Sequence, residues 1–182
     1  MAFAWSVFSR MKYNVIDVAI TILGIIYISF FLSFIPFTYR LGNNGDLGQY
    51  YVWYILAGAW MTDTFAFLIG VKFGKHKFSK ISPKKSIEGC IAGAVGTVIF
   101  FGAYTYYLNT INIELNVIEM MFVGLIVSSI SQIGDFAASS IKRFCEEKDF
   151  GTIMPGHGGI LDRFDSVIMI APFLYIFFQF LI

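Results

Sequence analysis

The stretch VIDVAITILGIIYISFFLSFIPF, from Val15 to Phe37, contains a single formal charge, Asp17. Crossing the roughly 30 Å hydrocarbon layer takes about 20 predominantly apolar residues as a helix, and this run is long enough. Four further apolar runs follow, at about residues 50–71, 87–108, 117–139 and 160–182. Five such runs predict an all-α, polytopic membrane bundle of about five transmembrane helices, read as one membrane-embedded domain over residues 1–182. The whole composition agrees. Of 182 residues, 57% are hydrophobic, 19% aromatic and only 14% charged, with a mean hydropathy of +0.71. Soluble domains carry about 25% charged residues.

Composition also excludes. A net charge of +1 gives no extended basic surface, so no nucleic-acid partner is expected. Cys90 and Cys145 stand far apart with no C-x-x-C spacing; each reads as a small apolar residue, not half of a disulfide or a zinc site. The first apolar run lacks a small-residue cleavage site and is too long for a signal-peptide core. Trp5, Trp53, Trp60, Tyr104, Tyr106 and Tyr107 read as lipid-facing or interface-belt residues. Gly89, Gly93 and Gly96 suit close helix contact.

The basic residues orient the bundle. Arg10 and Lys12 precede the first run, six lysines from Lys72 to Lys85 lie between the second and third, and Lys142, Arg143, Lys148 and Arg163 flank the gap between the fourth and fifth. Only Arg40 falls in the opposite loops. Because cytoplasmic loops are enriched in Lys and Arg, the N-terminus and the polar loops are expected in the cytoplasm. Polybasic loops also attract anionic membrane lipids. The loop VKFGKHKFSKISPKKSIEG adds turn-forming Gly74, Ser82-Pro83 and Glu88-Gly89, which suggests a shaped segment with Ser82, Lys84 and Lys85 available to an anion.

Acidic residues then appear where hydrocarbon disfavours them. Asp63 lies well inside the second run, Asp135 near the cytoplasmic end of the fourth, and Asp162 and Asp165 at the start of the fifth. Intramembrane carboxylates usually face a bundle interior or a watery cavity, with a partner. Asp162 and Asp165, three apart, would share a face if the helix begins near Ile160. Either the set pairs with Lys142, Arg143 and Arg163 as structural ion pairs, or it holds a hard divalent cation such as Mg²⁺, which takes one or two carboxylates plus substrate phosphates. The turn MPGHGG brings Gly156, Gly158 and Gly159 beside His157, where backbone N–H groups and the N-terminus of the fifth helix could receive a phosphate.

Ser139-x-Ile141-Lys142-Arg143, four residues, Lys148-Asp149, then Pro155-Gly156-His157-Gly158-Gly159-Ile160-Leu161-Asp162-Arg163-Phe164-Asp165 resembles the signature of phosphatidate cytidylyltransferases, the CDP-diacylglycerol synthases. WMTDTFAFLIGVKFGKHKFSKISPKKSIEG and SQIGDFAASSIKR fit the same family. Together these cover more than half the chain, with the signature region at residues 135–166.

The resemblance implies an Mg²⁺-dependent enzyme of phospholipid biosynthesis, with a monovalent cation as an optional companion. It would transfer a cytidylyl group from CTP to phosphatidic acid at the cytoplasmic face of a bacterial cytoplasmic membrane. Asp135, Asp162 and Asp165 become the expected metal ligands, with Asp149 an additional carboxylate. Lys142, Arg143, Lys148 and Arg163 would bind the triphosphate and the lipid headgroup, and His157 a phosphate or the leaving pyrophosphate. Ser82, Lys84, Lys85, Ser139, Gly156, Gly158 and Gly159 would contact substrate, with Asp63 and Glu88 at the margin.

Two departures stand out. Ala138 occupies a position where the family often carries Glu. The chain also corresponds to the C-terminal part of longer members, as a compact member, a fragment or a truncated product. Rival readings are a CTP-dependent lipid-alcohol kinase, a transporter or channel, and a non-catalytic partner subunit. A homodimer is compatible with all of them.

Overall fold

The computed structural model describes residues 15–42, 46–77, 85–145, 149–151 and 159–181. Helix α1, Val15–Gly24, runs on through a π-helical segment, Ile25–Phe30, and after a bend α2 covers Phe34–Tyr39. Then come α3, Gly48–Phe73; α4, Ile87–Thr110; α5, Val117–Phe144; a 3₁₀ turn, Leu161–Arg163; and α6, Asp165–Leu181. Among the described residues the only extended pairing is one bridge, Lys77 to Ser86. Four helices are long and apolar enough to cross a membrane: Asp17–Tyr39, Gly48–Phe73, Ile87–Thr110 and Val117–Phe144. The chain is an integral membrane protein with a helical bundle fold, as the apolar runs predict.

The ends of these helices follow from local sequence. Ser86 begins α4 by accepting the Gly89 N–H at 3.1 Å, and Asn116 begins α5 by accepting the N–H groups of Ile118 and Glu119 at 3.0 and 3.3 Å. Each side chain satisfies amide donors that the first helical turn leaves without partners. Asn109 closes the α4–α5 turn, with its amide bonded to both the carbonyl and the N–H of Leu115 at 2.9 Å.

Packing between α3 and α4 depends on missing side chains. A Cβ on Gly89 would stand 2.6 Å from the Ala66 carbonyl oxygen, and one on Gly93 2.8 Å from that of Thr62. Hydroxyls bridge the same interface: Thr62 to Thr97 and Tyr54 to Thr105, each at 2.7 Å. Small residues that admit close backbones, and hydroxyls bonded across helices, are what association in lipid relies on. Deeper in the bundle, Tyr51 stacks on Phe178 of α6 with centroids 4.1 Å apart, and Tyr54 packs on Phe101. On α5 a buried row of Val127, Ser131, Gly134 and Ala138 includes Gly134 against Met169 and the Asp165 backbone of α6.

Consecutive helices pack side by side, α3 on α4, α4 on α5 and α5 on α6, and their end contacts, Gly70 with Gly89, Gln132 with Cys90 and Gly134 with Asp165, show that they alternate in direction. The C-terminal ends of α3 and α5 therefore share one end of the bundle with the N-terminal ends of α4 and α6. That end gathers the polar segments.

Two expectations need correction. The fifth helix begins at Asp165, not near Ile160, and has 17 residues. Asp162 instead lies on the preceding 3₁₀ turn, where its carboxylate bonds backbone N–H groups and holds the chain out of the helix. Tyr104 is not a belt residue, because its hydroxyl donates to the Tyr50 carbonyl at 3.1 Å and its ring stacks on Phe100. Trp53, Trp60, Tyr106 and Tyr107 are exposed, as belt residues should be.

Candidate active site

At the polar end of the bundle, α3, α4 and α5 enclose a cavity of about 260 Å³. Asp63 enters it from α3, Lys85 and Cys90 from the start of α4, and Gln132 and Asp135 from α5. Whole-ligand pockets run to about 300–1,000 Å³, so this volume suits part of a ligand, such as a phosphate group with its ions and waters. Asp63 is accessible, but into this cavity, which resolves the cost of a carboxylate in the middle of an apolar helix.

Lys85 owes its position to the base of its loop. The Ile87 N–H donates to the His76 carbonyl at 2.9 Å, Lys77 pairs with Ser86, and the His76 ring contacts the Glu88 carboxylate at 2.7 Å. These contacts pinch the chain where it enters and leaves the loop, and they give Glu88 a structural partner outside the cavity. Directed inward by that pinch, Lys85 forms an ion pair with Asp135 and lies 4.5 Å from the centre of the Phe136 ring. Both members of the pair keep some exposure, with 20% and 26% of their side-chain surface accessible.

The carboxylates on neighbouring helices crowd the same region. Asp63 stands within electrostatic range of Asp135, Lys85 and Asp165, and its carboxylate lies 3.4 Å from the Ser166 hydroxyl. Asp165 is buried and accepts the Ser166 N–H at 2.8 Å. Because the helix begins at Asp165, the helix N-terminus expected near Ile160 is not formed there. Two hydroxyls near the cluster, Tyr27 Oη and Ser131 Oγ, are buried without a hydrogen-bond partner among the described residues.

Asp162 behaves differently. Its Oδ1 accepts from Lys142 Nζ at 2.8 Å, and its Oδ2 accepts the N–H groups of Phe150 and Gly159, each at 2.9 Å. Lys142 also lies 5.2 Å from the centre of the Phe150 ring. The pair is well covered, with 13% and 9% of the side chains accessible. Burial is the largest single influence on the Asp162 carboxyl and pushes its pKa up. The Lys142 hydrogen bond, the two backbone N–H groups and the lysine charge together outweigh it and leave the pKa below the ordinary value. Asp162 thus ties the end of α5 to both ends of the 151–159 connection, and Lys142 is engaged in that tie.

Among the remaining expected residues, Ser139 is half-buried on α5, Gly159 is buried, and Arg143, Asp149 and Arg163 are exposed. A Cβ on Gly159 would lie 2.9 Å from the Gly151 nitrogen, so glycine here permits a close backbone crossing. Ser82, Lys84, Lys148, Gly156, His157 and Gly158 lie outside the described residues. Ala138 is fully buried beside α6, so the site is built without the carboxylate that the resemblance leads one to expect there. Sequence reading missed Cys90, Gln132, Tyr27 and Ser131. Cys90 and Gln132 had only their neighbours to recommend them; the Gln132 amide bonds the Cys90 carbonyl at 3.1 Å.

The donor set suits a hard cation. Asp63, Asp135 and Asp165 bring carboxylate oxygens to one region, with Lys85 as the present counter-charge of Asp135, and Mg²⁺ takes one or two carboxylates while keeping waters that need hydrogen-bond partners. The orphaned Tyr27 and Ser131 oxygens meet that requirement. Among the described residues no three His, Cys, Asp or Glu side chains converge as a ready-made metal cage.

Residues 1–181 match the cytidylyltransferase family. The chain is 36% identical over 174 residues to the phosphatidate cytidylyltransferase of Staphylococcus haemolyticus, covering 95% of this chain and 64% of that protein. It is 37% identical over 174 residues to that of Staphylococcus aureus, with the same coverage. It is 38% identical over 163 residues to that of Thermotoga maritima, covering 87% and 58%. The chain spans less than two thirds of the length of these relatives. With signature, cavity and match coinciding, the chain belongs to the cytidylyltransferase family.

Proposed function

We propose that this protein transfers a cytidylyl group from CTP to phosphatidic acid, forming CDP-diacylglycerol and pyrophosphate. The observation that carries this reading is the cavity in which Lys85 and Asp135 pair beside Asp63, within a chain similar to proteins named for that reaction. A phosphate oxygen of phosphatidic acid attacks the α-phosphorus of CTP. The new O–P bond forms as the bond to the β-phosphate breaks, and pyrophosphate leaves with the electron pair. The nucleophile is already anionic, so neutralising and aligning charge matter more than removing a proton.

Asp135 and Asp165 would hold Mg²⁺ in this reading, with Asp63 as a third negative group nearby. The ion, when bound, neutralises charge on the triphosphate. Lys85 balances Asp135 and is placed at the cavity wall, where its ammonium would bind a phosphate oxygen of the substrate. Arg143 and Arg163, exposed at the same end, attract the nucleotide and the lipid headgroup. Asp162 and Lys142 act by holding the signature segment in place, which revises their expected roles as metal ligand and phosphate binder. His157 and Lys148 remain candidates for phosphate contact.

The polar end faces the cytoplasm of a bacterial cell, by the distribution of basic residues. There CTP arrives from water while phosphatidic acid diffuses in the bilayer. The test is product analysis with labelled CTP: CDP-lipid and pyrophosphate support the reading, whereas lipid phosphate with CDP would replace it by a lipid-alcohol kinase.

A further inference from the structure

Tyr27 lies on the first membrane span, far in sequence from every motif of the signature. Its hydroxyl oxygen is buried with no hydrogen-bond partner among the described residues, although buried polar atoms are nearly always bonded and each exception calls for an explanation. It stands within electrostatic range of both Asp165 and Asp135. The backbone beneath it is also unusual: Tyr27 lies in the π-helical segment Ile25–Phe30, and π turns inside α-helices are rare and frequent at functional sites. The second orphan, Ser131 Oγ, belongs to a fully buried residue one helical turn before Asp135 on the same helix face. A serine inside a helix commonly bonds the carbonyl four residues back, as Ser129 and Ser140 do on this helix at 3.0 and 2.9 Å. Ser131 does not. Two unrelated elements thus leave hydroxyls unused beside the same carboxylates.

We infer that Tyr27 and Ser131 are positioning residues for the cation at Asp135 and Asp165, their hydroxyl oxygens accepting hydrogen bonds from water molecules that the cation retains. This rests on the assignment of the cation to those carboxylates. Mg²⁺ and its analogue Mn²⁺ favour oxygen surroundings; outer-shell partners orient what the ion holds, and losing one typically costs about 10–100-fold in affinity. The inference also gives the first span, through Tyr27, a part in the site.

The experiment measures Mn²⁺ binding to the purified, detergent-solubilised protein by electron paramagnetic resonance, without CTP or lipid, so that it does not depend on turnover. Tyr27→Phe and Ser131→Ala each remove one oxygen, and thermal unfolding confirms that each variant is folded. Expected are a tight site in the wild-type protein, its loss in Asp165→Asn, and affinity about tenfold weaker in each hydroxyl variant. Should one variant fail to fold, the other decides alone. Unchanged Mn²⁺ affinity in a folded hydroxyl variant overturns the inference, as does a wild-type protein that binds no Mn²⁺. A protein that binds Mn²⁺ with this pattern but makes no CDP-lipid would instead refute the proposed reaction and leave the inference standing.

Discussion

Two lysine–aspartate pairs stand at the same end of the bundle and are built for opposite purposes. Lys142 and Asp162 are nearly covered, and each carboxylate oxygen of Asp162 already has a partner. Lys85 and Asp135 lie in the wall of a cavity with more of their surface accessible, and further carboxylates stand nearby. The first pair joins two chain segments. The second can exchange its partner for an ion or a phosphate. Both pairs join a lysine to an aspartate, so residue type does not separate them; the difference is in what else touches them.

The sharpest way to break that comparison is to neutralise the two aspartates separately. Asp135→Asn is expected to lower CDP-diacylglycerol formation by at least about 10²–10³-fold, the scale on which removing a preorganised charge-stabilising group acts, while thermal unfolding changes little. Lys85 and Asp135 are partly accessible, and a pair of that kind contributes about 0–1 kcal/mol. Asp162→Asn should do the reverse in kind: a loss of about 3 kcal/mol in stability, because it strips a covered lysine of its counter-charge, with activity falling along with the folded fraction. Equal effects of the two variants on turnover at matched folded fraction would show that Asp162 also acts in the chemistry.

A change outside both pairs calibrates them. Gly89→Ala places a Cβ against the Ala66 carbonyl and should cost about 1–3 kcal/mol by overpacking. Through the α3–α4 contact it shifts Lys85 and leaves the Asp162 tie intact, so measured CTP affinity should fall more than maximal rate.

The smallest effect expected is that of pH. The Asp162 pKa is lowered in the folded protein, so its contribution to stability is fully present above the unfolded value of about 3.9 and is lost as pH falls through the folded value. Unfolding temperature should decline below about pH 4 in the wild-type protein, and this part of the decline should be absent in Asp162→Asn. A decline of the same size in that variant would assign the acid sensitivity to another group.

Much of the fold was legible because it rests on one-dimensional features. Apolar runs of spanning length gave the helices, and Gly89 and Gly93 announced the tight α3–α4 contact. Asp135 was marked by being charged beside hydrocarbon, and Lys85 by its place in the polybasic loop. The start of α6 was not legible, because it depends on Asp162 reaching the N–H groups of Phe150 and Gly159 across a turn. Nor could Tyr27 and Ser131 be told from the chain's other hydroxyl-bearing residues. What distinguishes them is the absence of a bond, which only the packed bundle reveals.

The central claim is that the Lys85–Asp135 cavity carries cytidylyl transfer to a lipid phosphate. It is tested most directly by incubating the protein in liposomes containing phosphatidic acid with labelled CTP and Mg²⁺, beside Asp135→Asn in matched amount. The account predicts CDP-diacylglycerol and pyrophosphate in equal quantities from the wild-type protein and almost none from the variant. Folded wild-type protein yielding neither product, or a variant as active as the wild type, would contradict it.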